Sequence, residues 1–366
     1  MERVIFPIEK ESMNLKKDRM TSGERIAALF NYQKPDRVPI CGMGSLFSCR
    51  NAGYPIADVY NEPERSFDAQ VWTNDMYGWD FMDFTHTVLG SWDFGAEVGL
   101  PESEYEGALV VTSYAVTTEE DVQNLRLPDP RSAGRIPHAL EFAKLQEKNN
   151  LLIYFFSRSP FCTAADICGL HQLSRWMLKK PDLCHKLVRA AMDHIFHVLD
   201  YWVDTFGTSN ILVGMSSPTE SNQVISPSQF KDFALPYHLE YHDRLQSIGI
   251  KRFYFHICGD QRLNLPQIAE LSPWNHPGIL SFGHEVDLHD AAEYFPRDII
   301  FGNIEPAVFQ EGTPQEVYDL CRIAIEKGKK APGGFMLAPG CGMPVAATPV
   351  NVFAMTRAVN DFGWYG

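Results

Sequence analysis

Arg252-Phe253-Tyr254-Phe255-His256-Ile257-Cys258-Gly259-Asp260 is the stretch on which the reading of the fold turns. Aromatic and apolar residues run into a Gly-Asp turn, the pattern of a buried strand that ends in a loop. Side chains alternate across a strand, so His256 and Cys258 leave it on the same side. An imidazole and a thiol aimed together from one strand end are part of a metal site. A third ligand type stands in Pro339-Gly340-Cys341-Gly342, directly after another apolar run, Gly334-Phe335-Met336-Leu337-Ala338. One His and two Cys suit zinc and leave a fourth position for water or a substrate atom. Free cysteines are often core residues, and H-x-C alone is a weak pattern. A glycine-flanked cysteine after a second apolar strand moves the reading to a metal site of His256, Cys258 and Cys341.

Outward from that stretch, short apolar strands alternate with helices from about residue 150. Leu151 to Phe156, Ile211 to Met215, Gly278 to Phe282 and Ile299 to Gly302 read as strands covered on both faces. The longest helix signal is Asp182 to Phe206, with Leu183, Leu187, Ala191, Ile195, Val198 and Trp202 on one face. Capping-box spacings open helices at Thr21, Ser226 and Thr313, and Thr348-Pro349 opens the last. This order predicts an α/β fold, a (β/α)8 TIM-type barrel, whose active site lies at the C-terminal ends of the strands. Both metal segments sit at such ends. A doubly wound open sheet is the alternative, but there is no G-x-G-x-x-G and no P-loop to mark a nucleotide site.

The whole chain, 1–366, reads as a single barrel domain. Residues 1–35 form an N-terminal arm and a helix to about Tyr32, followed by a first strand at Val38 to Cys41. Gly42 to Pro55 reads as a loop, Pro63 to Tyr77 as a helix and Phe81 to Phe84 as a short strand. Residues from about 93 to 130 read as a β-rich insertion. The net charge of −14 excludes nucleic acid and an anionic membrane as main partners. No apolar run is long enough to span a membrane, and the N-terminus lacks a signal-peptide pattern. Eight irregularly spaced cysteines do not form a disulfide framework, so a reducing cytoplasm is expected.

Several landmarks together resemble the uroporphyrinogen decarboxylase superfamily. They are Glu24-Arg25 with Asp36-Arg37-Val38-Pro39, Ser159-Pro160-Phe161-Cys162-Thr163-Ala164, Ile225-Ser226-Pro227, Phe301-Gly302-Asn303-Ile304-Glu305-Pro306 and Gly312-Thr313-Pro314. His256, Cys258 and Cys341 narrow the resemblance to its zinc-dependent corrinoid methyltransferase branch, the methylcobamide:coenzyme M methyltransferases and relatives. The decarboxylases resemble N-L-G-H-G where this chain has Pro339-Gly340-Cys341-Gly342. They also hold substrate carboxylates with an R-Q-A-G-R motif, where this chain has Arg50-Asn51-Ala52-Gly53-Tyr54. Asp83 matches their aspartate at best loosely.

The resemblance implies a zinc-dependent methyltransferase that moves a methyl group between a corrinoid and a small thiol or methylated O, N or S compound. No corrinoid-binding D-x-H-x-x-G pattern occurs in the chain, so the corrinoid is expected on a partner protein. Related enzymes place a displaceable Glu ligand where Gly283 falls here. His284 or Glu285 can take over, and Glu220, in another strand-end loop, is a further candidate. Glu220 and His284 are the candidate catalytic residues, each with a bland reading beside it as a surface carboxylate and a loop histidine. Asn303 is the candidate cofactor-side residue, and Asp166 a candidate pocket residue. His238 and His242 stand one helical turn apart, a weaker second metal candidate. His194 and His197 read as structural. The competing functions are a uroporphyrinogen decarboxylase-like carboxy-lyase and a metal-binding barrel without catalysis.

Overall fold

The computed structural model describes residues 16–81, 90–107, 109–271 and 277–366. The expected first fifteen residues of the arm, most of the strand at 81–84 and Asp83 lie outside them. A two-stranded antiparallel sheet pairs β1 (Glu97–Gly99) with β2 (Val110–Ser113). The main sheet is parallel and runs in chain order: β3 (Ile153–Arg158), β4 (Ile211–Ser216), β5 (Arg252–Ile257), β6 (Ile279–Phe282), β7 (Ile299–Ile304) and β8 (Phe335–Pro339).

Two short segments extend that order. Ile40 bridges Leu337 of β8 in parallel, and Cys41 bridges Phe81 in the same sense. One buried cluster then draws a residue from every one of these segments: Cys41, Phe81, Tyr154, Leu212, Tyr254, Ile279, Phe301 and Met336. A single apolar interior fed by all strands is the packing of a barrel, filled by side chains in layers. The other face of the same strands, with Val213, Phe255, Leu280 and Leu337, joins the larger cluster under the helices. The alternation read from the sequence is thus an inside and an outside. The fold is the expected (β/α)8-type barrel.

The long helix spans Pro181–Phe206 and buries all six residues named from its periodicity. Each fully buried aliphatic side chain there stabilises the fold by roughly 1.5–3 kcal/mol. Capping boxes close at Thr21, Ser226 and Thr313 as the sequence predicts. Two readings need correction. The stretch 42–55 is not all loop, because Ser45–Asn51 is helical and buries Phe47, Ser48 and Cys49. The 93–130 segment is only partly β, because Thr118 caps a helix at Glu119–Asn124 through a Thr-x-x-Asp box. That second helix had a legible signal, since Asp at the third position satisfies the cap as Glu does.

Candidate functional site

On β5 the inner face carries Tyr254, then His256, and the chain turns just after Cys258. Gly259 takes φ +73°, the left-handed conformation that a glycine reaches without strain. The turn leaves the Cys258 thiol at the rim of the barrel. At the end of β8, Gly340 lets two loops meet: a Cβ there would lie 2.8 Å from the backbone nitrogen of His284. That close approach sets Cys341 against the β6 loop and beside Cys258.

The ligand atoms of His256, Cys258 and Cys341 all lie within 4.8 Å of one another. The two sulfurs are 3.7 Å apart and both cysteines are free. That is far too long for a disulfide, at about 2.05 Å. It matches the ~3.8 Å edge between two sulfurs on a tetrahedral zinc with bonds of about 2.3 Å. His256 Nδ1 is bonded to Ser281 Oγ at 2.9 Å, whereas the buried Nε2 has no hydrogen-bond partner. A buried unpartnered ring nitrogen costs about 1–3 kcal/mol unless something satisfies it. Nε2 aimed at two sulfurs is what a metal ion satisfies, and Ser281 holds the ring in that orientation. The residues therefore fit zinc.

The electrostatics split the two cysteines. The hydrogen bond from the Cys258 thiol, helped by the His256 ring, pulls Cys341 well below the usual thiol range. The same contact pushes Cys258 up, with burial adding to it. A bound dication would favour the thiolate form of both cysteines.

The other sequence candidates fall at different depths. Glu220 lies in a turn after β4 and is fully buried. Its Oε1 accepts from Ser159 Oγ, and its Oε2 pairs with His238 Nε2 at 2.7 Å. Its two oxygens are both engaged behind the strand ends. His238 is thereby tied to Glu220, and His238 and His242 do not form a metal cluster with any third ligand among the described residues. His284 is half exposed, its ring 3.7 Å from Glu285. Glu285 Oε2 is buried without a hydrogen-bond partner and reaches over Gly283, where a Cβ would come within 2.4 Å of it. Asn303 Nδ2 donates to the carbonyls of Gly283 at 3.0 Å and Val286 at 2.6 Å. It pins the loop that carries His284 and Glu285. Asp166, near the mouth, pairs with Arg158, and burial pushes its carboxyl up to about 6 against the pull of that arginine. His194 is buried on Asp93 at 3.0 Å, the structural place read for it.

Ser281 and Arg158 were missed in the sequence. Ser281 was legible as the inner-face partner of Ile279 on β6, but nothing local marks it as the residue that meets His256. Arg50 donates to the Val345 carbonyl at 3.0 Å and stacks over Tyr105, so its guanidinium is already engaged. Ser281→Ala is expected to leave the fold intact and to weaken zinc binding about 10- to 100-fold, the usual cost of losing an outer-shell partner. Competition with a chromogenic chelator measures it; unchanged affinity would show that Ser281 does not orient the ring.

Comparisons with known proteins place this architecture. The uroporphyrinogen decarboxylase (URO-D) family model matches residues 21–362. A methylated-thiol:coenzyme M methyltransferase of Methanosarcina mazei is 27% identical over 258 residues. That match covers 69% of this chain and 65% of the relative's length. A solved structure described as a methyltransferase from Methanosarcina mazei superposes with a TM-score of 0.78 at 21% identity, covering 94% of this chain and 99% of that one. It shows the shared fold.

Proposed function

We propose that this chain, which belongs to the uroporphyrinogen decarboxylase family, is a zinc-dependent methyltransferase. It moves a methyl group between a corrinoid carried by a partner protein and a small thiol or methylated heteroatom compound. The observation that carries this reading is the buried, unpartnered Nε2 of His256 converging with the sulfurs of Cys258 and Cys341. Similarity to a methyltransferase that acts on methylated thiols supports the reaction class.

His256, Cys258 and Cys341 would hold the zinc, which when bound supplies a Lewis acid that keeps a thiol substrate as its thiolate or polarises a methylated heteroatom. The chain's own residues build the surroundings. Ser281 fixes the imidazole, and Gly259 and Gly340 bring the two cysteines together. Glu285 Oε2, buried and without a hydrogen-bond partner among the described residues, lies 3.7 Å from the His284 ring and is the candidate to accept the proton that a thiol gives up. Glu220, committed to Ser159 and His238, braces the ends of β3 and β4 as a positioning residue, and Asn303 does the same for the His284 loop. A corrinoid on a partner protein would supply or take up the methyl group, and these residues would hold and orient the heteroatom that exchanges it in either direction. Free cysteines and the absence among the described residues of a helix able to cross a membrane accord with a cytoplasmic enzyme.

The test is methyl transfer from methylcobalamin to a small thiol, followed by the appearance of the cob(I)alamin absorbance. A zinc-loaded protein that turns over, and a zinc-stripped one that does not, is the expected pair of results. Conversion of uroporphyrinogen without zinc would overturn the reading in favour of decarboxylation.

A further inference from the structure

The end of the barrel away from the metal site holds a cavity of about 500 Å³. One wall is the first helix, Ser22–Phe30, which contributes Ile26, Ala27 and Phe30. The other wall is the N-terminal ends of the parallel strands: Leu152 just before β3, Leu212 in β4 and Arg252 opening β5, with Lys251 before it. Substrates of such barrels enter at the opposite end. The volume lies within the range of small-molecule sites, and the lining is mostly apolar with a few polar groups, as such sites are.

Those polar groups divide into satisfied and open ones. Asp80 is the carboxylate that lines the cavity, and its charge is already covered. Its Oδ1 accepts from Arg25 and Ser22, and its Oδ2 from Arg37 and the Ile40 backbone. Gln146 is 2% exposed and lines the cavity from the helix Ile136–Lys148. Its Oε1 accepts from the Tyr154 backbone at 3.0 Å, whereas its Nε2 has no hydrogen-bond partner among the described residues. Lys251 likewise has no partner among the described residues, and Arg252 gives only one Nη1 bond, to the Ser209 carbonyl at 2.7 Å. In a chain of net charge −14, the uncompensated charges on this cavity are thus both positive. The register pairs Leu212 with Arg252, so the cations stand one strand beyond the apolar floor. From β3 to β5 the cavity crosses two strand spacings, ~10 Å.

We propose that this cavity is a binding site for a monoanionic amphiphile, a carboxylic acid with an apolar tail of moderate length. The tail lies between Ile26 and Phe30 on one side and Leu152 and Leu212 on the other, where it loses contact with water. The carboxylate meets Lys251 and the open edge of Arg252 in charge-assisted bonds. Gln146 offers its free amide N–H groups to any acceptor on the ligand.

Calorimetry and thermal unfolding of the zinc-loaded full chain read this site with three probes. Octanoate carries tail and charge, octan-1-ol the tail alone and propionate the charge alone. Wild type is expected to bind octanoate about 10-fold or more tightly than either of the others. Octanoate should also raise the unfolding midpoint, because the cavity exists only in the folded barrel. Lys251→Met removes an exposed, unpaired charge, so it should leave the unliganded midpoint unchanged and erase the advantage of octanoate over octan-1-ol. Ala27→Trp, at an exposed helix position on the cavity wall, should fill the space and weaken octanoate and octan-1-ol together, each by about 10-fold or more. Octanoate bound no better than propionate or octan-1-ol overturns the proposal. Equal octanoate affinity in wild type, Lys251→Met and Ala27→Trp also overturns it, since the anion would then sit elsewhere. An unfolding midpoint that rises with protein concentration and ignores octanoate would make a second copy of the chain the occupant and overturn it as well.

Discussion

Cys341→Ala should purify with little or no zinc, where the wild type should carry about one per chain. The reasoning is geometric. Cys341 supplies one of three ligand atoms that lie within 4.8 Å of each other, and its sulfur is 3.7 Å from that of Cys258. Zinc binding by a full thiolate and imidazole set is worth roughly 10–16 kcal/mol, so losing one of its ligands weakens affinity on the order of 100- to 1,000-fold. The fold should survive, because Cys341 stands at the open rim and the barrel interior is packed by other residues. Elemental analysis beside far-UV circular dichroism reads both effects. Methyl transfer should fall with the zinc. Because the ligands bind as thiolates and a neutral imidazole, zinc occupancy should also fall as the pH is lowered, protons competing for the same atoms. Full zinc occupancy in Cys341→Ala, with the fold unchanged, would remove the metal site from this account.

The second large effect is on stability and lies at the opposite end of the barrel. Arg25 is fully buried on the first helix. Its Nε donates to Asp36 Oδ1 at 2.7 Å, its Nη1 to Asp80 Oδ1 at 2.5 Å, and its Nη2 to the Met20 carbonyl at 2.9 Å. Arg37 closes the network, reaching Asp80 Oδ2 at 2.7 Å and Asp18 at 2.8 Å. Asp80 Oδ2 also accepts from the backbone of Ile40 at 2.9 Å, so the network holds the first barrel segment in place. Arg25→Ala would take both guanidinium bonds from the buried Asp36 carboxylate and one bond from Asp80, at a cost of about 3–5 kcal/mol. That is a large part of the 5–15 kcal/mol that typically holds a domain folded. A denaturant titration of the two proteins measures it, and a midpoint within error of wild type would show that the cluster is structurally idle.

Acid should weaken the same cluster. Burial alone would raise Asp36, but the Arg25 bond and the backbone N–H groups of Arg19 and Met20 outweigh it and hold the carboxyl below the usual range. A carboxylate lowered on folding contributes stability above its unfolded value of about 3.9, and loses it as the pH falls through the folded value. The wild-type midpoint should therefore drop with acidification below about pH 4, and less steeply in Asp36→Asn.

The readings that held were those with a local cause. Capping boxes at Thr21, Ser226 and Thr313 need only residues three apart, and each closes as read. The long helix follows from its periodicity, and the strands from apolar runs that both faces of a covered sheet require. The convergence of His256 and Cys258 was legible for a related reason: strand alternation itself aims them together. Missed features had partners far away in sequence. The helix at Ser45–Asn51 has weak propensity and is held by tertiary packing of Phe47 and Cys49. Glu220 looked like a candidate acid because nothing near it in the chain predicts that Ser159 and His238 occupy its two oxygens.

By itself the sequence determined the alternating α/β order, the barrel class and the residue types able to hold zinc, since these follow from periodicity and from chemistry that each residue carries wherever it sits. Only the tertiary structure decided which of those residues meet. It placed Cys341 against Cys258 across 83 positions of chain, gave His256 its Ser281, withdrew Glu220 into a buried pair and paired Arg158 with Asp166. Those outcomes depend on the register between strands and on how closely loops approach, and both are set by the packing of the whole barrel rather than by any one segment.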